Sequence, residues 1–269
     1  VDAFFSAVSR GFHPGYVIPV LAGLLLAALF PSGNVFTDPA RRRTYRWIQW
    51  GTLMGALLGA KFAAIVGDLR WPIEPVDGSA VLGVGRSITG ALLFGLLTAE
   101  ILKPLAGFRE APNDRFAAVL PFSIAIGRVG CLMVGCCNGH ETDSFFALPD
   151  ADGVMRHPTA LYDLLFHVAL GITFVAILRR GTPGGRFAPP PFAGRLFALH
   201  LTLYGTFRFA IEPLRDSRDY LFGLSAYQIF SLAMLACGIV GLVRKLPLPA
   251  PSGPGTEHEH LRSAAVELA

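Results

Sequence analysis

FAAVLPFSIAIGRVGCLMVG, residues 116–135, carries a single charge, Arg128, in an otherwise apolar run. A stretch of this length and composition matches a helix crossing a hydrocarbon core, which takes about 20 residues. Working outward, six further blocks share the property: 15–31, 47–66, 80–102, 158–178, 193–212 and 221–243. Period-2 alternation is absent, which argues against a transmembrane barrel. Helices are the remaining way to satisfy backbone polar groups in lipid. Over all 269 residues, 52% are hydrophobic and 16% charged, with a mean hydropathy of +0.50, a balance foreign to water-soluble domains. The sequence predicts an all-α integral membrane protein with about seven transmembrane helices.

The segments between the blocks alternate in charge. Arg41, Arg42, Arg43 and Arg46, then Lys103, Arg109 and Arg115, then Arg179, Arg180, Arg186 and Arg195, and finally Arg244, Lys245 and Arg262 hold 14 of the 23 basic residues. The intervening connections carry Asp68, Glu74 and Asp77, or Glu141, Asp143, Asp150 and Asp152. By the positive-inside rule the amino terminus is expected outside and the carboxyl terminus in the cytoplasm. The net charge of +4 then reports topology. A nucleic-acid partner is excluded, because no aromatic-interleaved basic face exists. The start, with Asp2, Arg10 and His13, lacks the basic leader of a cleaved signal, so no separate signal peptide is expected.

Residues 1–246 are predicted to form the membrane domain, with external loops at 67–79, carrying Trp71, and at 136–157. The two loops together are expected to form a small external cap. Residues 181–191 form a Pro/Gly linker, and 247–269 a polar, Pro-rich tail expected to be disordered. The His258-Glu259-His260 triplet in that tail is read as incidental.

An ionisable side chain inside a bilayer costs about 2.5–3.5 kcal/mol, so each one needs a reason. The set is Lys61, Arg86, Arg128, Asp163, His167, Arg208 and Glu212. The predicted topology brings most of it, with Tyr162 and Gln228, to one level in the outer half of the membrane. Two readings follow. In one, the charges snorkel or form structural pairs, Arg128 with Asp163 and Arg208 with Glu212. In the other, the excess of cations binds an anionic lipid headgroup, since arginine forks favour phosphate oxygens.

Cys131, Cys136 and Cys137 stand in a C-x4-C-C pattern, unlike the C-x2-C of zinc ribbons or thioredoxin-type sites. Cys131 reads as a helix packing residue, and so does Cys237. Cys136 and Cys137 fall on the oxidising side, where pairing is open to them. A bridge between adjacent cysteines is strained, so a bridge from one of them to Cys131 is the easier one. His140 keeps a Cys/His metal site among the alternatives.

Three stretches together resemble the prolipoprotein diacylglyceryl transferases, seven-helix enzymes of the bacterial inner membrane. GRVGCLMVGCCNG is similar in frame to the family's G-R-x-G signature, with Arg128 on its essential arginine. RHPTALYD, 156–163, resembles H-P-x-Q-L-Y-E and matches His157, Pro158, Tyr162 and Asp163. YGTFRFAIEPLRD, 204–216, resembles Y-G-x-x-R-F-x-x-E-x-x-R, and LSAYQIFSL resembles L-S-x-x-Q-x-x-S. Tyr204, Arg208, Glu212, Arg215 and Gln228 carry over there.

The resemblance implies transfer of diacylglycerol from phosphatidylglycerol to the lipobox cysteine of a prolipoprotein signal peptide, releasing glycerol phosphate. It implies Arg128, Arg208, His157 and Tyr162 as catalytic. Arg86, Thr89, Asp163, Tyr204, Glu212, Arg215 and Gln228 would bind substrate. No metal or other cofactor is expected, because pre-organised cations in a dry site supply the electrostatics. The sequence departs from the family at SITGALLFG, where Thr89 replaces a histidine and Ala91 a glycine. Cys131 and Val134 stand where the signature has asparagines, and Leu57 or Leu58 where arginine is common. Alternatives are a divergent relative with another acceptor or lipid, and a non-enzymatic lipid-binding or thiol-redox membrane protein.

Overall fold

The computed structural model describes residues 14–29, 39–68, 87–108, 114–150, 153–181, 188–215, 217 and 219–244. Arg86, nearly all of the 67–79 loop and the 247–269 tail lie outside the described residues. Among the described residues there are seven α-helices: α1 (Pro14–Leu29), α2 (Pro39–Asp68), α3 (Ile88–Leu105), α4 (Asp114–Val134), α5 (Thr159–Arg179), α6 (Leu196–Ile211) and α7 (Ala226–Val243). Each falls on one of the apolar blocks. Five of them, α2, α3, α4, α5 and α7, are long and apolar enough to cross a membrane. At 16 residues each, α1 and α6 rise about 24 Å, short of the roughly 30 Å hydrocarbon core.

Helix starts are set by local chemistry that apolar blocks do not report. Ser87 caps α3, its hydroxyl accepting from the Gly90 N–H at 3.3 Å. The block 221–243 opens with a hairpin, β3 (Asp219–Leu221) against β4 (Leu224–Ser225), rather than with helix. Phe222 and Gly223, at φ +53° and +74°, make its two-residue turn. Positive φ at both central residues is the turn whose twist suits a hairpin. Helix α7 begins just after, under a full capping box: Ser225 accepts from the Gln228 N–H, and the Gln228 side chain accepts from the Ser225 N–H.

The 136–157 loop is structured. Strand β1 (Leu148–Pro149) pairs with β2 (Met155–Arg156), and isolated bridges join Glu141 to Arg156 and Gly139 to Arg215. Arg156 holds the loop by ion pairs to Asp150 at 2.7 Å and Glu141 at 3.2 Å.

The helices pack chiefly as the pairs α2 with α3, α1 with α4, α4 with α5 and α6 with α7. Small residues allow the close approach. A Cβ on Gly90 would fall on the Gly59 carbonyl across the α2–α3 contact, and Gly238 is packed as tightly against Thr202 between α6 and α7. Large apolar side chains point outward instead of inward, including Leu58 at 72% and Leu105 at 79% exposure. Such surfaces are stable where the surrounding medium is hydrocarbon. The chain is therefore a membrane protein.

At one end, Asp114 at the start of α4 is buried and accepts from three backbone N–H groups, those of Ala188, Gly194 and Leu196, at 2.6–3.0 Å. This ties the start of α6 to α4. Arg244 pairs with Glu100 at 2.7 Å at the same end, joining α7 to α3. Among the described residues, Lys103, Arg115, Arg179, Arg180, Arg195 and Arg244 of the predicted basic connections lie at the helix ends on this side.

Candidate functional site

The opposite end of the bundle holds the polar set. Arg128 lies on the last third of α4, only 8% exposed, and ion-pairs with Asp163 on the first turns of α5. Arg208, near the end of α6, ion-pairs with Glu212 one turn on. The second Glu212 oxygen accepts from the Ser225 hydroxyl at 2.9 Å, tying α7 into the same group. Asp163 lies within electrostatic reach of both Arg128 and Arg208, so the two guanidinium groups share one acidic neighbourhood. Arg208 also stands over the Tyr227 ring at 5.4 Å. The expected structural ion pairs are both present, and they sit inside the expected convergence: the two readings describe the same residues.

Above the arginines lies a backbone weave made by the signature loop. The Gly139 N–H donates to the His157 carbonyl at 2.8 Å, and the His140 N–H donates to the Leu214 carbonyl at 2.9 Å. A Cβ on Gly139 would collide with that Leu214 carbonyl, so only glycine lets the three segments meet. Thr159 donates to the Cys137 carbonyl and accepts from Arg215, the latter at 2.9 Å. Arg215 is thereby placed 3.9 Å from Glu212 as well. His157 Nδ1 and the Tyr162 hydroxyl are 3.3 Å apart at the entry to α5.

Beneath the arginines, away from the loop, Tyr204 and His167 pack with ring centroids 4.6 Å apart and planes tilted by 60°, and His200 follows 5.7 Å from His167. All three rings are fully buried. His167 Nδ1 donates to the Asp163 carbonyl at 2.8 Å, which fixes the ring under the Arg128 pair.

Of the residues expected in the site, Arg128, Asp163, Arg208, Glu212, Tyr204, Arg215, His157 and Tyr162 are brought together at this end. Gln228 joins through Ser225, its side-chain oxygen occupied by the cap. Thr89 is buried on α3 beside Gly90, at the contact with α2. Arg86 lies outside the described residues. The sequence reading missed Thr159, Ser225 and His200. Ser225 had a signal, the S-x-x-Q capping pattern, and so did His200, an ionisable side chain inside the 193–212 block like His167 in its own; Thr159 had none, since a threonine acquires meaning only from its neighbours.

The three cysteines also belong here. All four cysteines of the chain are free, so the pairing left open by the sequence is not formed. Instead the Cys131, Cys136 and Cys137 sulfurs lie within 4.8 Å of one another. The Arg128 guanidinium approaches two of them, 3.8 Å from Cys131 Sγ and 3.9 Å from Cys137 Sγ. Hydrogen bonds from Cys131 and Cys136, aided by the charges of Arg128 and Arg215, hold the Cys137 thiol well below the usual thiol range, against burial.

The family profile described as prolipoprotein diacylglyceryl transferase matches residues 14–244, a range that contains all seven described helices. The chain belongs to the prolipoprotein diacylglyceryl transferase family. A phosphatidylglycerol–prolipoprotein diacylglyceryl transferase of Clostridium tetani is 28% identical over 203 residues, covering 70% of this chain and 75% of its own length. One of Dehalococcoides mccartyi is 32% identical over 218 residues, covering 72% and 80%. One of Campylobacter hominis is 27% identical over 248 residues, covering 86% and 85%. Members of the prolipoprotein diacylglyceryl transferase family are transferases, so the non-enzymatic alternatives fall away. The buried arginine cluster is to be read as part of an enzyme.

Proposed function

We propose that this transferase moves the diacylglyceryl group of phosphatidylglycerol to the lipobox cysteine thiol of a prolipoprotein, releasing glycerol phosphate. The observation that carries the reading is the pair of buried guanidinium groups, Arg128 and Arg208, around Asp163 and Glu212. In the reaction the acceptor sulfur bonds to the glycerol carbon and the carbon–oxygen bond to phosphate breaks. The electron pair of that bond leaves with the phosphate. Arg128 and Arg208 offset the charge gained by the departing group, which is worth most in a water-excluded site. The acidic partners keep the forks oriented while no substrate is present. His157 and Tyr162 face the acceptor and take part in moving its proton. Tyr204 and Arg215 line the headgroup side.

The bundle is placed in the bacterial inner membrane with its amino terminus outside, all seven helices crossing and the arginine end in the outer leaflet. The basic connections at the opposite end support that orientation. The shorter α1 and α6 then cross where the site locally thins the hydrocarbon, with the Arg208–Glu212 pair at the outer end of α6. Lipid enters sideways between helices.

The test is release of glycerol phosphate by purified protein in detergent, given phosphatidylglycerol and a lipobox peptide. Peptide-dependent release that is lost in Arg128→Ala is the expected result. Absence of release from well-folded protein would overturn the assignment of lipid or acceptor.

A further inference from the structure

The thiol cluster is not used by the reading above, and its geometry has a requirement of its own. Successive side chains in an extended chain point to opposite faces. Cys136 and Cys137 nonetheless approach with sulfurs 3.8 Å apart, because Cys137 takes a left-handed backbone at φ +63°. That conformation costs a non-glycine residue on the order of 1–3 kcal/mol and persists only where the surroundings impose it. Here the loop is held by Thr159 on the Cys137 carbonyl and by the Gly139 and His140 bonds. Cys131, one turn before the end of α4, completes the group from below.

Four ligand sulfurs at about 2.3 Å from a tetrahedral zinc stand about 3.8 Å from each other. The Cys136–Cys137 separation has that value already, and side-chain rotation within the 4.8 Å cluster brings in Cys131. Three protein ligands leave one tetrahedral position open, the arrangement of zinc sites that act on a substrate. Three thiolates around a divalent ion carry one net negative charge, and the Arg128 guanidinium lies against two of the sulfurs to offset it. A thiol that coordinates such an ion gives up its proton outright.

We propose that Cys131, Cys136 and Cys137 hold one zinc-class divalent cation whose fourth position takes the acceptor cysteine as its thiolate. The part concerning the acceptor rests on the transferase reading. On binding, the acceptor S–H passes its proton out through the His157–Tyr162 pair and its sulfur joins the metal. The sulfur then forms its bond to the glycerol carbon while the carbon–oxygen bond to phosphate breaks, and the thioether product, a weaker ligand, leaves. The acceptor sulfur and the phosphate-binding Arg128 are thus held side by side.

The experiment uses reduced full-length protein in detergent, titrated with Co²⁺ and followed by visible and charge-transfer absorption. Expected is a tetrahedral thiolate spectrum saturating at one equivalent, retained in Cys237→Ser and lost in Cys136→Ser/Cys137→Ser. Adding a lipobox peptide changes the spectrum, whereas its Cys→Ser analogue does not. A second measurement guards against misfolded variants: in the unaltered protein, Zn²⁺ protects Cys131, Cys136 and Cys137 from alkylation, read by mass spectrometry. Absence of saturable binding and of protection overturns the site, and a spectrum indifferent to the peptide thiol overturns its fourth ligand. Both readouts are independent of glycerol phosphate release, so failure of the transferase reading is seen separately.

Discussion

Arg208 and Glu212 are ion-paired one turn apart where α6 ends, both almost wholly buried, and the second Glu212 oxygen is held by Ser225 at the cap of α7. One carboxylate therefore serves the candidate site and the join between two helices. Removing one partner of such a pair leaves the other charge buried and uncompensated, at about 3–5 kcal/mol. Glu212→Gln is expected to lower thermal stability in detergent by that order and to abolish activity. An unchanged unfolding midpoint would show that the pair is not buried as described.

Ser225→Ala separates the two duties. It removes the cap of α7 and one bond to Glu212 while sparing the Arg208 pair. Loss of an N-cap costs about 0.5–2 kcal/mol. A moderate drop in stability with measurable residual turnover is expected, and turnover as low as in Glu212→Gln would contradict it.

Arg128 and Asp163 form the other pair. Removal of one pre-organised donor at a site of developing charge costs about 10²–10³ in kcat. Arg128→Ala is expected to lose at least that much glycerol phosphate release. Asp163→Asn is expected to lose less, and the double variant to fall short of the summed losses, since residues in contact couple. Strict additivity in this cycle would argue that the two side chains act independently.

Asp114, far from the site, receives three backbone N–H groups with its two carboxylate oxygens. Leaving buried donors without an acceptor costs about 1–3 kcal/mol each. Asp114→Ala is expected to reduce thermal stability by several kcal/mol, and Asp114→Asn by less because one acceptor oxygen remains. Equal stability of Asp114→Ala and the unaltered protein would refute this role.

Gly90 touches the backbone of Gly59 between α2 and α3. Overpacking a tight contact costs about 1–3 kcal/mol. Gly90→Val is therefore expected to lower the unfolding midpoint, whereas Gly153→Ala is expected to meet no atoms and to cost only its positive φ of +80°. Similar losses in the two variants would speak against a packing origin for the first.

The seven apolar blocks were legible because lipid imposes length and composition on each crossing segment separately, with no need to know its neighbours. Helix starts at Ser87 and Ser225 were displaced from the block edges because capping and a hairpin turn, rather than hydrophobicity, decide them. The site was legible as an inventory of charges: Arg128, Asp163, Arg208 and Glu212 declare themselves by their cost in a bilayer. The bond of Ser225 to Glu212 and of Thr159 to Arg215 was not, because a hydroxyl pays no such cost and carries no mark in an apolar helix end.

The linear order of residues by itself determined a helical membrane protein, the end of the bundle at which its charges gather and, through three short motifs, the family. Tertiary structure alone decided that Cys131, Cys136 and Cys137 meet beside Arg128, and that Glu212 joins α6 to α7. The physical reason is range. Hydropathy and charge act on each segment against its solvent, whereas a thiol cluster or a shared carboxylate depends on where a left-handed residue, a glycine contact and a cap bring distant segments together.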